Sequence, residues 1–207
     1  MKKVDWKEVG ELLQSGKIGI IPTDTIYGIS AQAFREDLIE KIYTLKKRDR
    51  RKPFIFLISQ ISDLEKFGIK IGGSKKRVLE DFWPGKVSIV FSCSAPNLKY
   101  LHRGVGSLAF RLPKNQNLLA LLKKTGPLVS TSVNQEGRNP AENFQEIEEY
   151  FGNELDFCLD AGDLKGHPST VLDFSSKKVR VLRRGEWKKK EHFSAVFWRN
   201  LLDRLRG

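Results

Sequence analysis

The sequence predicts an α/β fold of the α+β kind, in which helices pack around a mixed, twisted β-sheet. Short apolar runs that are typical of buried strands are interspersed with segments of helical periodicity, without the strict strand–helix alternation of a parallel sheet. Of the 207 residues, 40% are hydrophobic, which is enough for a folded core. No internal repeat or Pro/Gly/Ser-rich linker divides the chain, so we expect one domain over residues 1–207.

Helices are predicted where apolar residues recur every three or four positions behind a capping residue. Asp5 and Glu8 form a capping-box pattern before the first apolar stripe, and Asn115 precedes a leucine-rich run that Gly126 closes. Ser74 is the expected cap of a helix that ends before Trp83. The predicted helices cover residues 5–16, 37–46, a short stretch from 62, 74 to before 83, 116–124, 144–151 and 193–205.

Strands are predicted from short apolar, β-branched or aromatic runs that are bounded by turn residues. The run KIGIIP at residues 17–22 and the run PFIFLI at residues 53–58 are the clearest examples. The further predicted strands cover residues 86–91, 108–112, 127–133, 170–174 and 178–182.

The positive charge of the chain is concentrated in two segments. Lys and Arg number 37 against 25 Asp and Glu, which gives a net charge of +12. Residues 41–52 carry a net charge of +6 and residues 177–207 a net charge of +8, so the remainder is slightly acidic. Such clustering favours anionic ligands such as phosphates or RNA, although a solvated charged surface gives the same pattern.

Targeting signals are not evident in the sequence. No apolar run approaches the ~20 residues that a bilayer-spanning helix needs. The N-terminal residues lack the apolar stretch and small-residue cleavage site of a secretory signal. We therefore expect a cytoplasmic protein with no membrane association.

Several common catalytic motifs are missing from the sequence. It contains no G-x-x-x-x-G-K-[ST] phosphate loop, no G-x-G-x-x-G after a strand and no G-x-S-x-G. Cys93 and Cys158 are too few for a disulfide framework or a zinc site. His102, His167 and His192 are isolated from each other and from the cysteines. We therefore expect no metal-ligating cluster and no protein nucleophile.

Polar clusters follow the ends of three predicted elements. They are the stretch Pro22–Gly28, the basic stretch Lys46–Pro53, and the stretch Ser130–Asn134 with the nearby Gly137. Hydroxyl and amide side chains beside a turn can simply cap the backbone. Open sheets, however, bind ligands at strand ends. Three such clusters with cations between them favour a pocket for a small polar anion and a polyphosphate.

These clusters carry a resemblance to a known family. The string I-P-T-D-T-I-Y-G-I resembles the pattern P-T-[ED]-T-x-Y-G-L of the YrdC-like family of threonylcarbamoyl-adenylate synthases. Six further matches follow in order, so that the resemblance covers about residues 17–185. They are Lys46–Arg48 with Lys52–Pro53 (K-x-R…x-P), Phe82–Gly85 (F-W-P-G), Leu108–Pro113 (V-A-x-R-x-P), Ser132–Asn134 with Gly137 (S-A-N-x-[ST]-G), Gly166–Val171 (G-x-P-S-T-[VI]) and Leu182–Gly185 (L-R-x-G).

The resemblance implies the short, single-domain bacterial form, with a twisted sheet and a large, positively charged cavity. It also implies a reaction in which L-threonine, bicarbonate and ATP give threonylcarbamoyl-AMP and pyrophosphate. This is the first stage of N6-threonylcarbamoyladenosine formation at position 37 of tRNAs that read ANN codons. The substrate itself supplies the nucleophile, so the enzyme must mainly align two anions and neutralise developing charge.

The resemblance also implies roles for individual residues. Lys46 and Arg48 match the catalytic positions and are expected to contact the phosphates. The residues expected to hold threonine are Thr25, Tyr27, Arg111, Ser130 and Ser169. The residues expected to bind ATP are Arg48, Lys52, Ser107, Ser132, Asn134, Asn139 and Arg183. ATP is a substrate, Mg²⁺ is expected with it, and no organic cofactor is implied. Proteins of the threonylcarbamoyl-transferase complex are the implied partners.

Some positions depart from the family pattern. The basic loop, often K-G-R-P, here has Lys47 and Asp49, so that its flexibility is expected to differ. Leu57 stands near a position where many relatives have His, which favours the short-form branch. Ser130-Thr131 replaces the usual lead into the S-x-N element.

Three alternatives are compatible with the sequence. The first is a non-catalytic protein that binds tRNA or double-stranded RNA in RNA or ribosome maturation, with the two basic segments against the RNA backbone. The second is the carbamoyl-phosphate-handling domain of hydrogenase-maturation proteins, whose extra zinc-finger and acylphosphatase modules this chain lacks. The third is a ligand-binding regulator with a degenerate site. The basic tail at residues 186–207, predicted to form a C-terminal helix, lies outside the matched motifs, and RNA binding is its best unproven use.

Overall fold

The structure of the protein is a computed structural model that describes residues 1–176 and 179–185. The predicted helix at residues 193–205, and the whole tail 186–207, lie outside the described residues.

The helices begin and end close to the predicted positions, and side-chain caps fix the start of the first helix and that of the leucine-rich helix. Asp5 Oδ1 accepts hydrogen bonds from the N–H groups of Lys7 (2.8 Å) and Glu8 (3.1 Å), and the Glu8 carboxylate accepts from the Asp5 N–H, which confirms the predicted capping box. Asn115 Oδ1 accepts from Leu118 N–H at 3.0 Å, which confirms the second cap. The α-helices are α1 (Trp6–Gln14), α2 (Glu36–Leu45), α3 (Gly73–Leu79), α4 (Lys99–His102), α5 (Gln116–Thr125) and α6 (Phe144–Phe151), with 3₁₀ helices at Ile61–Phe67, Pro96–Leu98 and Gly152–Glu154.

The strands of the described residues join one mixed sheet of ten strands. Their order across the sheet is β1-β8-β2-β3-β7-β4-β6-β5-β9-β10. The pairs β1/β8, β2/β8, β4/β6 and β5/β9 are parallel, and the remaining pairs are antiparallel, which confirms the predicted mixed sheet. The strands are β1 (Lys2–Lys3), β2 (Gly19–Pro22), β3 (Tyr27–Gln32), β4 (Ile55–Leu57), β5 (Val87–Ser92), β6 (Ser107–Arg111), β7 (Leu128–Ser132), β8 (Phe157–Cys158), β9 (Thr170–Asp173) and β10 (Arg180–Arg183).

Some elements differ from the prediction. Strands β1, β3 and β8 and helix α4 were not predicted, and the short helix expected from residue 62 is a 3₁₀ helix. Strand β3 has the sequence YGISAQ, and its first five residues are buried, so it shows no polar–apolar alternation. Helix α3 begins at Gly73 with Gly72 as its N-cap residue, so the predicted Ser74 cap was wrong.

Hydrophobic residues cover the two faces of the sheet unequally. The larger core includes the aromatic cluster Phe56, Phe67 and Phe110, whose ring centroids lie 4.8–5.9 Å apart. On the opposite face, α1 and α5 pack over residues such as Leu57 and Leu128. The two helices cover one end of this face, and the polar site lies on its remaining part.

Strand register places the polar residues of that face side by side. Leu57 in β4 pairs with Arg111 in β6, and Ile55 pairs with Ser130 in β7. Ser132 in turn pairs with Gly28 in β3. Because residues paired across neighbouring strands point to the same face, Ile55, Arg111, Ser130 and Ser132 share one face with Gly28, and all five line one pocket.

No helix within residues 1–176 and 179–185 is long and apolar enough to span a bilayer.

The contact between β2 and β8 generates a prediction about stability. A methyl group on Gly19 would overlap the buried ring of Phe157 on the paired strand. We expect Gly19→Ala to lower the free energy of unfolding by about 1–3 kcal/mol, because the rigid ring cannot move aside. Gly73→Ala is the matched control, because nothing lies within 4 Å of that position and alanine favours a helix. If urea denaturation showed both variants to be as stable as the wild type, the predicted overlap at Gly19 would be wrong.

Candidate functional site

An open pocket lies on the polar part of the sheet face, with a volume of about 620 Å³ including its mouth. Its floor comes from β3, β4, β6 and β7, and its rim from the loops before β4, before β9 and after β2. The residues that line it are Thr23, Thr25, Ile26, Tyr27, Gly28, Arg48, Pro53, Phe54, Ile55, Arg111, Ser130, Thr131, Ser132, Pro168, Ser169 and Arg183.

The turn between β2 and β3 fixes one hydroxyl at the pocket wall. Thr23 Oγ1 donates to the Ile26 carbonyl at 2.7 Å and accepts from the N–H groups of Thr25 and Ile26 at 3.1 and 3.2 Å. It also lies 2.9 Å from Thr25 Oγ1. Because the single Thr23 proton is used on Ile26, Thr25 must donate in this pair, which leaves its oxygen free to accept from a ligand.

Arg111 is the most deeply buried cation of the pocket, with 4% of its surface exposed. Its Nη1 lies 2.5 Å from Asp24 Oδ1, and Asp24 Oδ2 accepts from Lys114 N–H at 3.2 Å. Burial lowers the pKa of Arg111, and the Asp24 carboxylate opposes this shift. The guanidinium remains charged, and the ion pair uses one of its five N–H donors.

Two further guanidinium groups line the same pocket. Arg48 donates from Nε to the Lys52 carbonyl at 3.0 Å, and its guanidinium lies 5.3 Å from the centre of the Phe54 ring. Arg183 donates from Nε to the Ser169 carbonyl at 3.1 Å. Desolvation in the pocket lowers the pKa of both side chains, although Arg183 keeps an exposed surface at the rim, and the charges of Arg111 and Arg48 lower the pKa of Arg183 further. This mutual repulsion is what an anionic ligand between the groups would relieve.

Serine hydroxyls complete the polar lining. Ser169 Oγ lies 2.8 Å from Ser88 Oγ, so that β5 supports the loop before β9. Ser132 Oγ donates to Asn134 Oδ1 at 2.6 Å. A Cβ on Gly28 would lie 2.7 Å from Ser130 Oγ, so glycine at this position keeps the Ser130 hydroxyl accessible.

A strap formed by residues 160–169 closes one side of the pocket, and Tyr27 holds it. The buried Tyr27 hydroxyl donates to the Gly162 carbonyl and accepts from Ala161 N–H, both at 2.8 Å. Burial raises the pKa of Tyr27, so the hydroxyl keeps its proton at neutral pH. The strap lies so close to the Thr25 carbonyl that only glycine fits at Gly166.

Lys46 lies outside the pocket lining and is 2% exposed. Its Nζ donates to the carbonyl of Ser132, to the carbonyl of Asn134 at 2.5 Å and to Asn134 Oδ1 at 3.0 Å. Burial and the charge of Arg48 lower the pKa of Lys46 to about 7. The charge of Glu136 acts against this shift, and the three oxygens match the three donors of an ammonium group. In this position Lys46 joins the basic loop to the turn after β7.

The structure brings eight of the predicted site residues together in the pocket lining. Five others lie outside it. Ser107 shares the sheet face of Arg111, four residues earlier in β6 and thus roughly 13 Å away, and Asn139 is exposed. Lys46, Lys52 and Asn134 form the edge beside Arg48. The eight are Thr25, Tyr27, Arg48, Arg111, Ser130, Ser132, Ser169 and Arg183.

Several lining residues were not predicted as site residues. Thr23, Gly28 and Pro168 lie inside matched motifs, so their positions in the sequence could have identified them. Phe54 and Ile55 have the pattern of ordinary strand residues, and only the tertiary structure shows that they face the pocket.

Within the described part of the chain, no three His, Cys, Asp or Glu side chains form a cluster that could hold a metal ion. Asp24, which adjoins the pocket, is engaged by Arg111.

The fold and the pocket define a class of protein in which a mixed sheet presents arginine and hydroxyl side chains in a pocket at one face. The chain belongs to the Sua5/YciO/YrdC family, whose profile, described as "Telomere recombination", matches residues 11–185.

Individual relatives agree with this assignment. A putative threonylcarbamoyl-AMP synthase of Mycobacterium tuberculosis is 29% identical over 175 residues, which are 84% of this chain and 80% of that protein. The crystal structure of Pyrococcus abyssi Sua5 complexed with L-threonine is 26% identical with a TM-score of 0.82, and covers 90% of this chain. This chain covers 55% of that protein's chain. The crystal structure of E. coli YciO, 21% identical with a TM-score of 0.79 over 91% of this chain and 94% of its own, shares the fold.

The contacts of Lys46 generate a second prediction. We expect Lys46→Met to lower the free energy of unfolding by about 1–3 kcal/mol, because it leaves buried oxygens of Ser132 and Asn134 without donors. Lys47→Met, at the exposed neighbouring position, is expected to change stability by less than about 0.5 kcal/mol. Equal urea midpoints for the two variants would show that the ammonium does not hold the turn.

Proposed function

We propose that the protein is an L-threonylcarbamoyladenylate synthase, which makes threonylcarbamoyl-AMP and pyrophosphate from L-threonine, bicarbonate and ATP. The observation that carries this proposal is the convergence of Arg48, Arg111 and Arg183 with a set of hydroxyl groups in one pocket. The described residues of that lining include no Cys or His side chain. This composition suits a reaction whose nucleophile is part of a substrate.

The threonine half of the pocket is the end that contains Arg111. Its free N–H donors suit the planar α-carboxylate of an amino acid, for which a lysine would be a poor substitute. Thr25, Ser130 and Ser169 present hydroxyls around the same space, and Tyr27 holds the strap over it. The P. abyssi relative was crystallised with L-threonine, which supports this ligand for the present chain.

The nucleotide half is the end that contains Arg48 and Arg183. The threonine amine combines with the carbon of bicarbonate to form a carbamate, with loss of water. A carbamate oxygen then attacks the α-phosphorus, the bond from that phosphorus to the bridging oxygen breaks, and pyrophosphate leaves with the electron pair. The two guanidinium groups would hold the phosphates in line and neutralise charge that develops during transfer.

The roles expected of Lys46, Lys52, Ser107, Asn134 and Asn139 belong to the same proposal. Lys46 and Asn134 form the wall on which the phosphate-binding loop is built, and the exposed Lys52 lies at its edge. Mg²⁺ would enter with ATP. A cytoplasmic location, transfer of the product by a threonylcarbamoyl-transferase complex, and tRNA as the final acceptor complete the proposal.

The basic segment at residues 41–52 gives less support to the RNA-binding alternative than its charge suggests. Three of its cations have acidic partners, namely Arg50 with Glu40, Arg51 with Asp49 at 3.1 Å, and Lys52 with Glu136. The segment therefore presents less free charge than its sequence implies. The tail at residues 186–207 lies outside the described residues and keeps RNA binding as its predicted use.

The reaction itself is the first test of the proposal. Incubation with ATP, L-threonine and ¹³C-bicarbonate should yield labelled threonylcarbamoyl-AMP, detected by mass spectrometry, with one pyrophosphate released per product. Pyrophosphate release that did not depend on threonine would contradict the proposal.

Substitutions in the pocket provide a third prediction. We expect Arg48→Ala and Arg111→Ala each to lower product formation by at least about 100-fold, since each removes a cation that stabilises bound or developing charge. Arg51→Ala, an exposed arginine in the same loop, is the matched control and should stay within about twofold of the wild type. Near-normal product formation by both pocket variants would contradict the site assignment, provided that circular dichroism shows folded proteins.

A further inference from the structure

Glu136 is an acidic residue at the edge of the pocket, in the turn that follows β7. In the S-A-N-x-[ST]-G pattern this position carries Ser or Thr, whereas this chain has Glu followed by Gly137. Both of its carboxylate oxygens contact the basic loop after α2. Oε1 accepts from Lys52 Nζ, and Oε2 accepts from Asp49 N–H at 2.8 Å.

Phosphate oxygens accept hydrogen bonds from donors of these two kinds. An ammonium and a backbone N–H in one loop form charge-assisted hydrogen bonds with any anionic oxygen pair. The hydrogen bond from Lys52 and that from Asp49 N–H lower the pKa of Glu136, so its carboxylate is ionised at neutral pH. Arg48, which lines the pocket, belongs to the same loop and further favours the charged form.

The contact is placed where a ligand could break it. The Lys52 and Glu136 side chains are 55% and 35% exposed, and exposed ion pairs of this kind are weak. The Glu136 backbone is anchored separately, through its N–H to the Lys46 carbonyl at 3.1 Å. The side chain can therefore rotate away from Lys52 without loss of the turn.

We propose that Glu136 competes with the phosphate chain of the nucleotide for Lys52 and the Asp49 amide, and thereby lowers the affinity of this protein for ATP. The inference rests on the proposed function, because it takes the edge of the pocket beside Arg48 as the place where phosphates bind. A triphosphate carries more negative charge than one carboxylate, so it displaces Glu136 at the cost of that ion pair. Glu136 is a determinant of affinity and not a catalytic residue.

The test measures binding of ATP, and of inorganic tripolyphosphate as a probe of the phosphate contacts alone, by isothermal titration calorimetry. Glu136→Gln and Glu136→Ser are expected to bind both ligands about two- to fivefold more tightly than the wild type, which is the range set by a weak exposed ion pair. A residue that only supported the loop would give weaker binding after substitution, so the sign of the change separates the two roles.

A matched control removes the effect of net charge. Glu40→Gln changes the charge of the protein by the same amount and also removes a partner of the basic segment, because Glu40 pairs with Arg50. The affinity of the Glu40→Gln variant for ATP should equal that of the wild type. Equal tightening by Glu40→Gln and Glu136→Gln would overturn the inference in favour of a long-range charge effect.

A double-mutant cycle with Lys52 tests the mechanism directly. In a Lys52→Met background, Glu136→Gln should tighten ATP binding by less than it does in the wild type, since the contested ammonium is gone and only the Asp49 N–H remains contested. A full additional tightening in that background would overturn the inference. If ATP bound neither the wild type nor any variant, the proposed function and the inference would fail together, whereas equal ATP binding by the wild type and both Glu136 variants would overturn the inference alone.

Discussion

The buried ion pair between Arg111 and Asp24 is the interaction on which the pocket depends. A guanidinium that is almost fully buried must have a partner, because loss of its hydration costs several kcal/mol. Asp24 provides that partner from the turn after β2, while Arg111 stands at the end of β6. Strands β3, β7 and β4 lie between β2 and β6, so the pair joins distant parts of the sheet. It also holds Arg111 in the pocket lining.

A second set of contacts organises the proposed nucleotide half of the site around the ammonium of Lys46. That group holds two backbone carbonyls of the turn after β7, and the Lys46 carbonyl accepts from Glu136 N–H in return. The basic loop and the S-x-N turn are therefore one unit rather than two independent walls. Lys46 therefore supports the edge of the pocket beside Arg48 while its ammonium faces oxygens of Ser132 and Asn134.

Glycine and tyrosine residues determine how closely the loops approach. The strap formed by residues 160–169 runs over the turn after β2, and Gly166 permits its close contact with the Thr25 carbonyl. Gly185 permits a similar approach to the Pro168 carbonyl from the end of β10. Tyr27 then fixes the strap through two hydrogen bonds at its hydroxyl. The pocket is thus enclosed by backbone packing as well as by charged side chains.

The sequence by itself determined the class of fold, the main helices with the caps at Asp5 and Asn115, and eight residues of the pocket lining. Capping and periodicity are local properties, and the motif residues occur in a fixed order along the chain. Only the tertiary structure decided that β3 is a central strand, that Lys46 faces backbone carbonyls, and that Glu136 contacts Lys52. These features depend on which strands pair and which loops meet. The contacts of Lys46 with Ser132 and of Lys52 with Glu136 join residues that are 86 and 84 positions apart in the chain. Local sequence carries no information on such contacts, because their energies arise only when distant segments are packed together.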